Sequence, residues 1–235
     1  MYFDTRYLIF LAPAMIFSFF ASMRVKGTFA RYAKVASRSG MTGAEAATSL
    51  LRTAGVRNVG IERTQGFLSD HYDPRQRVLR LSPDVYSSHS LAAIGVACHE
   101  AGHAIQHANA YAPLVARTAM VPVVQFGSNF GMWFIMAGFL LSGAAVGQTL
   151  LLIGIGLFSL SVLFALVTLP VEWDASARAK KLMVQAGIVS TAESKSAGSV
   201  LNAAFMTYLA SAFSAILTLL YYLMRAGLLG GRRRD

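Results

Sequence analysis

Charge is what this sequence has least of. Asp, Glu, Lys and Arg make up 14% of 235 residues while hydrophobic residues make up 55%, where a soluble domain carries about 25% charged residues. So little charge excludes an ordinary soluble globule, and the apolar excess requires lipid. Cysteine is nearly absent as well. With Cys98 alone, the chain can form neither an intramolecular disulfide nor a cysteine-based zinc site. Cys98 lies in an apolar helical stretch and reads as a small core residue. Acidic residues are the scarcer sign, 11 against 21 Lys and Arg, for a formal charge of +10. That balance would suit nucleic acid only if the basic groups formed a phosphate-tracking surface. Instead Arg24, Lys26, Arg31, Lys34 and Arg38 follow one apolar run, and Arg225, Arg232, Arg233 and Arg234 follow another. This is membrane-surface anchoring, and nucleic acid is excluded as a partner.

What is present is long apolar runs. Residues 7–23, 119–141, 148–169 and 203–224 are candidate spans; the last three suffice for a hydrocarbon core about 30 Å thick. The first is shorter, and its poorly basic start without a small-x-small site reads as an uncleaved anchor. The expected fold is a mainly α-helical integral membrane protein of about four transmembrane helices with a small α+β domain outside the bilayer. Residues 1–23 form the anchor, 24–118 the α+β domain, 119–169 a transmembrane hairpin, 170–202 a helix and loop, and 203–235 a last span with a basic tail. No internal repeat or low-complexity tract interrupts this order.

Within the α+β domain, residues 28–39 read as a helix stopped by Gly40, and Thr42 with Glu45 is a capping-box pair opening a second helix that runs to Gly55. Residues 66–72 and 77–82 read as a β-hairpin around Asp73-Pro74. Pro83 starts a short helical turn, and Ser90 is an N-cap. After the third apolar run, Pro170 introduces a helix over 171–186 stopped by Gly187, and the polar stretch 190–199 reads as a loop.

The helix after Ser90 carries His99-Glu100-Ala101-Gly102-His103, an H-E-x-x-H pattern. Positions i and i+4 share one helix face, so both imidazoles reach one zinc ion, and Glu100 beside them suits a general base. Residues 91–105 are otherwise apolar or small, and a polar stripe there is costly unless bound to something. Catalytic zinc takes a third protein ligand. His107 lies eight residues from His99, about 12 Å along the axis, which is too far. The extended H-x-x-G-x-x-H pattern fails, with Gln106 and Asn109 in its places. Glu172 is the favoured third ligand: the short uncharged loop 142–147 makes two crossings that return the chain to the face it left. Asp174, two positions on and facing elsewhere, is its rival. His71 and His89 read as structural or solvated; an oxyanion donor is to be sought among His71, Tyr72 and His107. Strand addition of an extended substrate is expected along Leu79, Arg80, Leu81 and Ser82.

The runs Asp70-His71-Tyr72-Asp73-Pro74, Leu79-Arg80-Leu81-Ser82-Pro83-Asp84-Val85-Tyr86, Ser90-Leu91-Ala92-Ala93, residues 98–106 and residues 169–176 together resemble the YugP-like neutral zinc metallopeptidase family of bacterial membrane proteins. The resemblance covers about residues 5–224. It implies a zincin-like core, a Zn2+ cofactor, peptidase activity on peptide or protein substrates, membrane proteins among them, and Glu172 as third ligand. It also implies a bacterial inner-membrane location. Where related membrane gluzincins carry Asp four positions after the ligand Glu, this chain has Ser176. Other readings are an intramembrane protease, which needs an acidic ligand inside a later span, a metal transporter, which needs ionisable residues on two spans, and a zinc-binding scaffold without catalysis. The spans here contain no ionisable residue.

The basic residues after the first run, with Arg178, Lys180 and Lys181 after the third, put the catalytic face in the cytoplasm by the positive-inside rule. Four full crossings place Arg232, Arg233 and Arg234 on the opposite side, against the same rule. Single cysteines at Ser39 and Ser194 are expected to react with a membrane-impermeant maleimide only after the cytoplasmic face is opened; labelling of either in intact cells refutes the orientation.

Overall fold

The computed structural model describes residues 5–66 and 69–229. In chain order its elements are α1 (Thr5–Tyr32), α2 (Gly43–Thr53), β1 (Gly60–Arg63), β2 (His71–Asp73), β3 (Val78–Leu81), α3 (Pro83–Tyr86), α4 (Leu91–Ala108), α5 (Ala112–Leu140), α6 (Ala145–Gln185) and α7 (Thr191–Arg225). They divide into two compact units, one from the described parts of residues 1–20, 116–169 and 208–235, the other from 21–115 and 170–207. The protein is a mainly helical membrane protein: α1, α5, α6 and α7 are each long and apolar enough to cross a bilayer.

In the first unit the apolar side chains face outward as well as inward. Phe126, Trp133, Met136 and Leu140 on α5 are exposed, Leu140 at 85%, a surface that lipid accommodates and water does not. Inside, Ile135, Leu151, Ile155, Tyr221 and Tyr222 form a buried cluster. A Cβ at Gly154 would sit 2.7 Å from the Ile135 backbone nitrogen, so α5 and α6 meet backbone to backbone, the approach small residues permit between membrane helices.

The second unit is built around α4. Its N-terminus is capped by Ser90, whose hydroxyl accepts the Ala93 N–H. Leu91, Ile94, Ala97, Ala101 and Ile105 of α4 share one core with Leu50 and Leu51 of α2, Leu79 and Leu81 of β3, Ala179 and Met183 of α6, and Ala197 and Leu201 of α7. The Thr42–Glu45 capping box opens α2 as the sequence indicates. Gly187, at φ +66, closes α6 by a Schellman turn in which the Ile188 N–H reaches Met183 O at 2.9 Å.

Helices run further than the sequence reading allowed. The expected separate helix over 28–39 is the end of α1, unbroken to Tyr32, because a single Gly27 costs only about 1 kcal/mol in a helix. Pro170 does not start a new helix but lies inside α6; the lost hydrogen bond is offset by full burial of Val171 and Ala175 just beyond it. The expected loop 190–199 is the first part of α7, because Ser190 and Glu193 form a second capping box, with the Ser190 N–H on Glu193 Oε2 at 2.9 Å and the Glu193 N–H on Ser190 Oγ at 3.3 Å.

The sheet corrects the expected substrate edge. The hairpin forms, but from His71–Asp73 and Val78–Leu81, while Phe67 and Leu68 of the anticipated first strand lie outside the described residues. An unanticipated strand, β1, pairs parallel with β3 on its other side, giving the order β1-β3-β2. Leu79, Arg80 and Leu81 therefore sit in the central strand, with both backbone edges taken. The Ser82 N–H is bonded to Asp70 Oδ1 at 2.7 Å. Leu79 and Leu81 are fully buried and serve the core instead.

Two glycines let α4 approach its neighbours. A Cβ at Gly95 would lie 3.3 Å from Ala197 O of α7, and one at Gly102 would lie 2.6 Å from Ala175 O of α6. The second contact is backbone against backbone, so neither partner can swing aside. Gly102→Ala is expected to destabilise the folded protein by about 1–3 kcal/mol, seen as a lower midpoint of thermal unfolding, whereas Gly156→Ala, inside the same kind of helix but where a Cβ meets nothing within 4 Å, should not lower the midpoint and should raise it slightly.

Candidate metal centre

The contact at Gly102 and Ala175 aligns one face of α4 with one turn of α6. His99 and His103 stand one helical turn apart on α4, their rings 4.7 Å apart between centroids. Glu172 Oε2 lies 3.1 Å from His99 Nε2 and 3.4 Å from His103 Nε2. Among the described residues these three are the group whose donor atoms lie within 4.8 Å of one another and could hold a metal ion. The side chain of Glu172 is 2% exposed and those of His99 and His103 13% and 10%. A carboxylate so buried needs positive charge beside it. Two imidazole nitrogens and one carboxylate oxygen converging on one point are also the donor set a catalytic zinc ion takes, so the residues fit that ion.

The second nitrogen of each imidazole is engaged too. His99 Nδ1 lies 3.1 Å from Ser176 Oγ, and His103 Nδ1 lies 3.0 Å from Gln106 Oε1. Gln106 is fully buried; its amide nitrogen donates to Val171 O and to Asp174 Oδ2, both at 2.8 Å. Asp174 also accepts from Arg178 Nε. Partners of this kind fix which ring nitrogen faces a metal.

Glu100 follows His99 on α4 and is partly exposed. Burial of its carboxyl pushes its pKa up; the charges of His99 and His103 pull it down, those of Glu172 and Asp70 add to the rise, and the net shift is upward. Asp70 is itself raised by burial, against the pull of hydrogen bonds from Ser82. Desolvation works against a proton on His103, but the hydrogen bond and charge of Glu172, with Glu100 and Gln106, raise its pKa overall. Burial raises the Cys98 thiol well above its ordinary value, leaving it inert.

Of the other sequence candidates, Asp174 does not join the three donors but binds Gln106 and Arg178. His107 Nδ1 meets the Tyr72 hydroxyl at 2.8 Å, and the two line a separate pocket with Gly55, Val59 and Ala104. His71 bonds Ser69 O and His89 bonds Gly40 O. The sequence reading missed Gln106 and Asp70 as neighbours of the site and left the role of Ser176 open. Ser176 was findable as position i+4 from Glu172 and Gln106 as i+3 from His103.

The family model described as "Putative neutral zinc metallopeptidase" matches residues 7–227. The chain is also 44% identical over 219 residues, 92% of its length and 95% of the relative's, to the "Putative membrane protease YugP" of Bacillus subtilis (strain 168). No solved structure matches it. A family match spanning nearly the whole chain, over a fold that brings His99, His103 and Glu172 together, establishes membership: the chain belongs to the neutral zinc metallopeptidase family.

Proposed function

We propose that the protein is a membrane-bound, zinc-dependent endopeptidase in which His99, His103 and Glu172 hold the metal and Glu100 is the general base. The observation that carries this reading is the convergence of both His Nε2 atoms on one buried oxygen of Glu172, with Glu100 on the same helix. Zinc bound there would lower the pKa of a water toward ~7 and polarise the substrate carbonyl. Glu100 takes the proton from the attacking water at its carboxylate and passes it to the leaving amine as the peptide bond breaks. By the name of its Bacillus relative and its basic flanks, we assign the chain to a bacterial plasma membrane with the site facing the cytoplasm.

Glu100→Gln keeps the side chain's size but cannot accept the proton, so peptide hydrolysis should fall by about a hundredfold or more while zinc content stays full. Glu172→Ala should lose zinc and activity together, with partial recovery in excess zinc. Casein cleavage beside metal analysis tests both; full zinc in Glu172→Ala would refute the ligand assignment.

With β3 enclosed, an extended substrate is left the outer edge of β1 or of β2. The β2 edge is favoured because Asp70, directly before it, interacts by charge with Glu100, which puts this end of the strand near the proposed base. Substrate pairing there uses main-chain hydrogen bonds. Tyr72 carries the β2 N–H that faces away from β3, so Tyr72→Pro should show kcat/KM about tenfold below that of Tyr72→Ala, the scale of one lost hydrogen bond, while Ile61→Pro on β1 should match Ile61→Ala in folded protein; the opposite pattern would move the substrate to β1.

A further inference from the structure

We infer that Gln106 is a positioning residue for the metal centre, acting as a neutral spacer that passes the orienting effect of the Asp174–Arg178 ion pair to His103. The inference rests on His103 being a zinc ligand.

The hydrogen bonds leave Gln106 one arrangement. Its two neighbours Val171 O and Asp174 Oδ2, each at 2.8 Å, can only accept, so the amide nitrogen, with its two hydrogens, must face them. The amide oxygen is then the atom facing His103 Nδ1, at 3.0 Å, and an oxygen can only accept. His103 is thereby required to carry its proton on Nδ1. Its Nε2, which faces Glu172, is left to present a lone pair once a metal replaces the proton there.

Asp174 completes the direction of the chain. Its Oδ2 takes both the Gln106 amide and the Arg178 guanidinium, and Arg178 in turn lies over the Tyr111 ring at 5.5 Å. Gln106 is fully buried, so water cannot substitute for either end of it. His99 is held differently, by the single hydroxyl of Ser176, which can donate or accept and so dictates no tautomer. The two histidines are therefore unequal: His103 is fixed by a directed chain, and His99 is oriented by a group that adapts.

Purified full-length protein in detergent, stripped of metal and titrated with zinc against a fluorescent chelator, tests this. Gln106→Leu keeps the volume and removes the acceptor; zinc affinity should fall about 10–100-fold, by more than the lowered unfolding midpoint of the metal-free protein accounts for. Gln106→Glu sets two carboxylates against each other and should also weaken binding. Asp174→Asn, whose amide oxygen can take the place of Oδ2 and still accept from both Gln106 and Arg178, should keep affinity within about threefold of wild type, whereas Asp174→Leu, which removes that acceptor, should weaken it about tenfold. Wild-type affinity in Gln106→Leu, or a loss no larger than the fall in metal-free stability with Asp174→Asn and Asp174→Leu binding zinc alike, overturns the role of Gln106. The control is Glu172→Ala: if it binds zinc as wild type does, the metal-site reading falls and this inference with it, whereas loss of zinc there with wild-type affinity in Gln106→Leu defeats the inference alone.

Discussion

A carboxylate with 2% of its side chain exposed cannot stand by itself in a protein interior, and the second unit is organised around meeting that demand at Glu172. The compensating groups come from another helix, so α4 must come close enough to α6 for two imidazoles to reach one oxygen. Gly102 allows this by removing the only side-chain atom between the two backbones. The approach must then be held, because the same dry surroundings that strengthen the ion pairing make its loss expensive. The packing of α4 against α2, the sheet and α7 supplies that hold through a shared core of Leu, Ile, Val and Ala. The core and the centre are thus one piece of engineering: the residue between the two histidines that permits the helix crossing is part of the motif that carries them.

The parts of this arrangement legible in the sequence are those fixed by local geometry. The pairing of His99 with His103 follows from the helical repeat, and the capping box at Thr42 and Glu45 and the cap at Ser90 follow from spacing within one turn. Glu172 was within reach because so few acidic residues follow Glu100. The links from Gln106 to Asp174 and from Ser176 to His99 were not legible, since each depends on how two helices more than sixty residues apart cross. Ser190 and Glu193 are a different case. Their capping-box spacing was in plain view, but a run of polar residues was given more weight than the local signal that starts α7.

The sheet divides in the same way. Asp73-Pro74 marks a turn, and the hairpin of β2 and β3 forms around it. β1 has four residues, three of them exposed, with no alternation strong enough to announce a strand, and its partner is parallel and reached only through the intervening chain. Missing it changes the chemistry as well as the count: a hairpin offers β3 as an edge, whereas a three-stranded sheet with β3 in the middle closes that edge and leaves only β1 and β2 open.

Charge placement around His103 shows why a glutamine rather than an acid stands at position 106. Glu172 and Glu100 already bring two carboxyl groups to the pair of histidines, and their charges oppose each other's ionisation. A third carboxylate directly on His103 Nδ1 would add to that repulsion and push more electron density onto the ring, weakening the pull of any bound cation on its substrate. An amide transmits direction without charge. The acid is moved one residue further out, to Asp174, where Arg178 neutralises it, and the fixed geometry still reaches the imidazole through Gln106. One turn of α6 therefore does three things at once: Glu172 supplies the buried charge, Ser176 steadies one histidine, and Asp174, kept at a distance by the amide, orders the other.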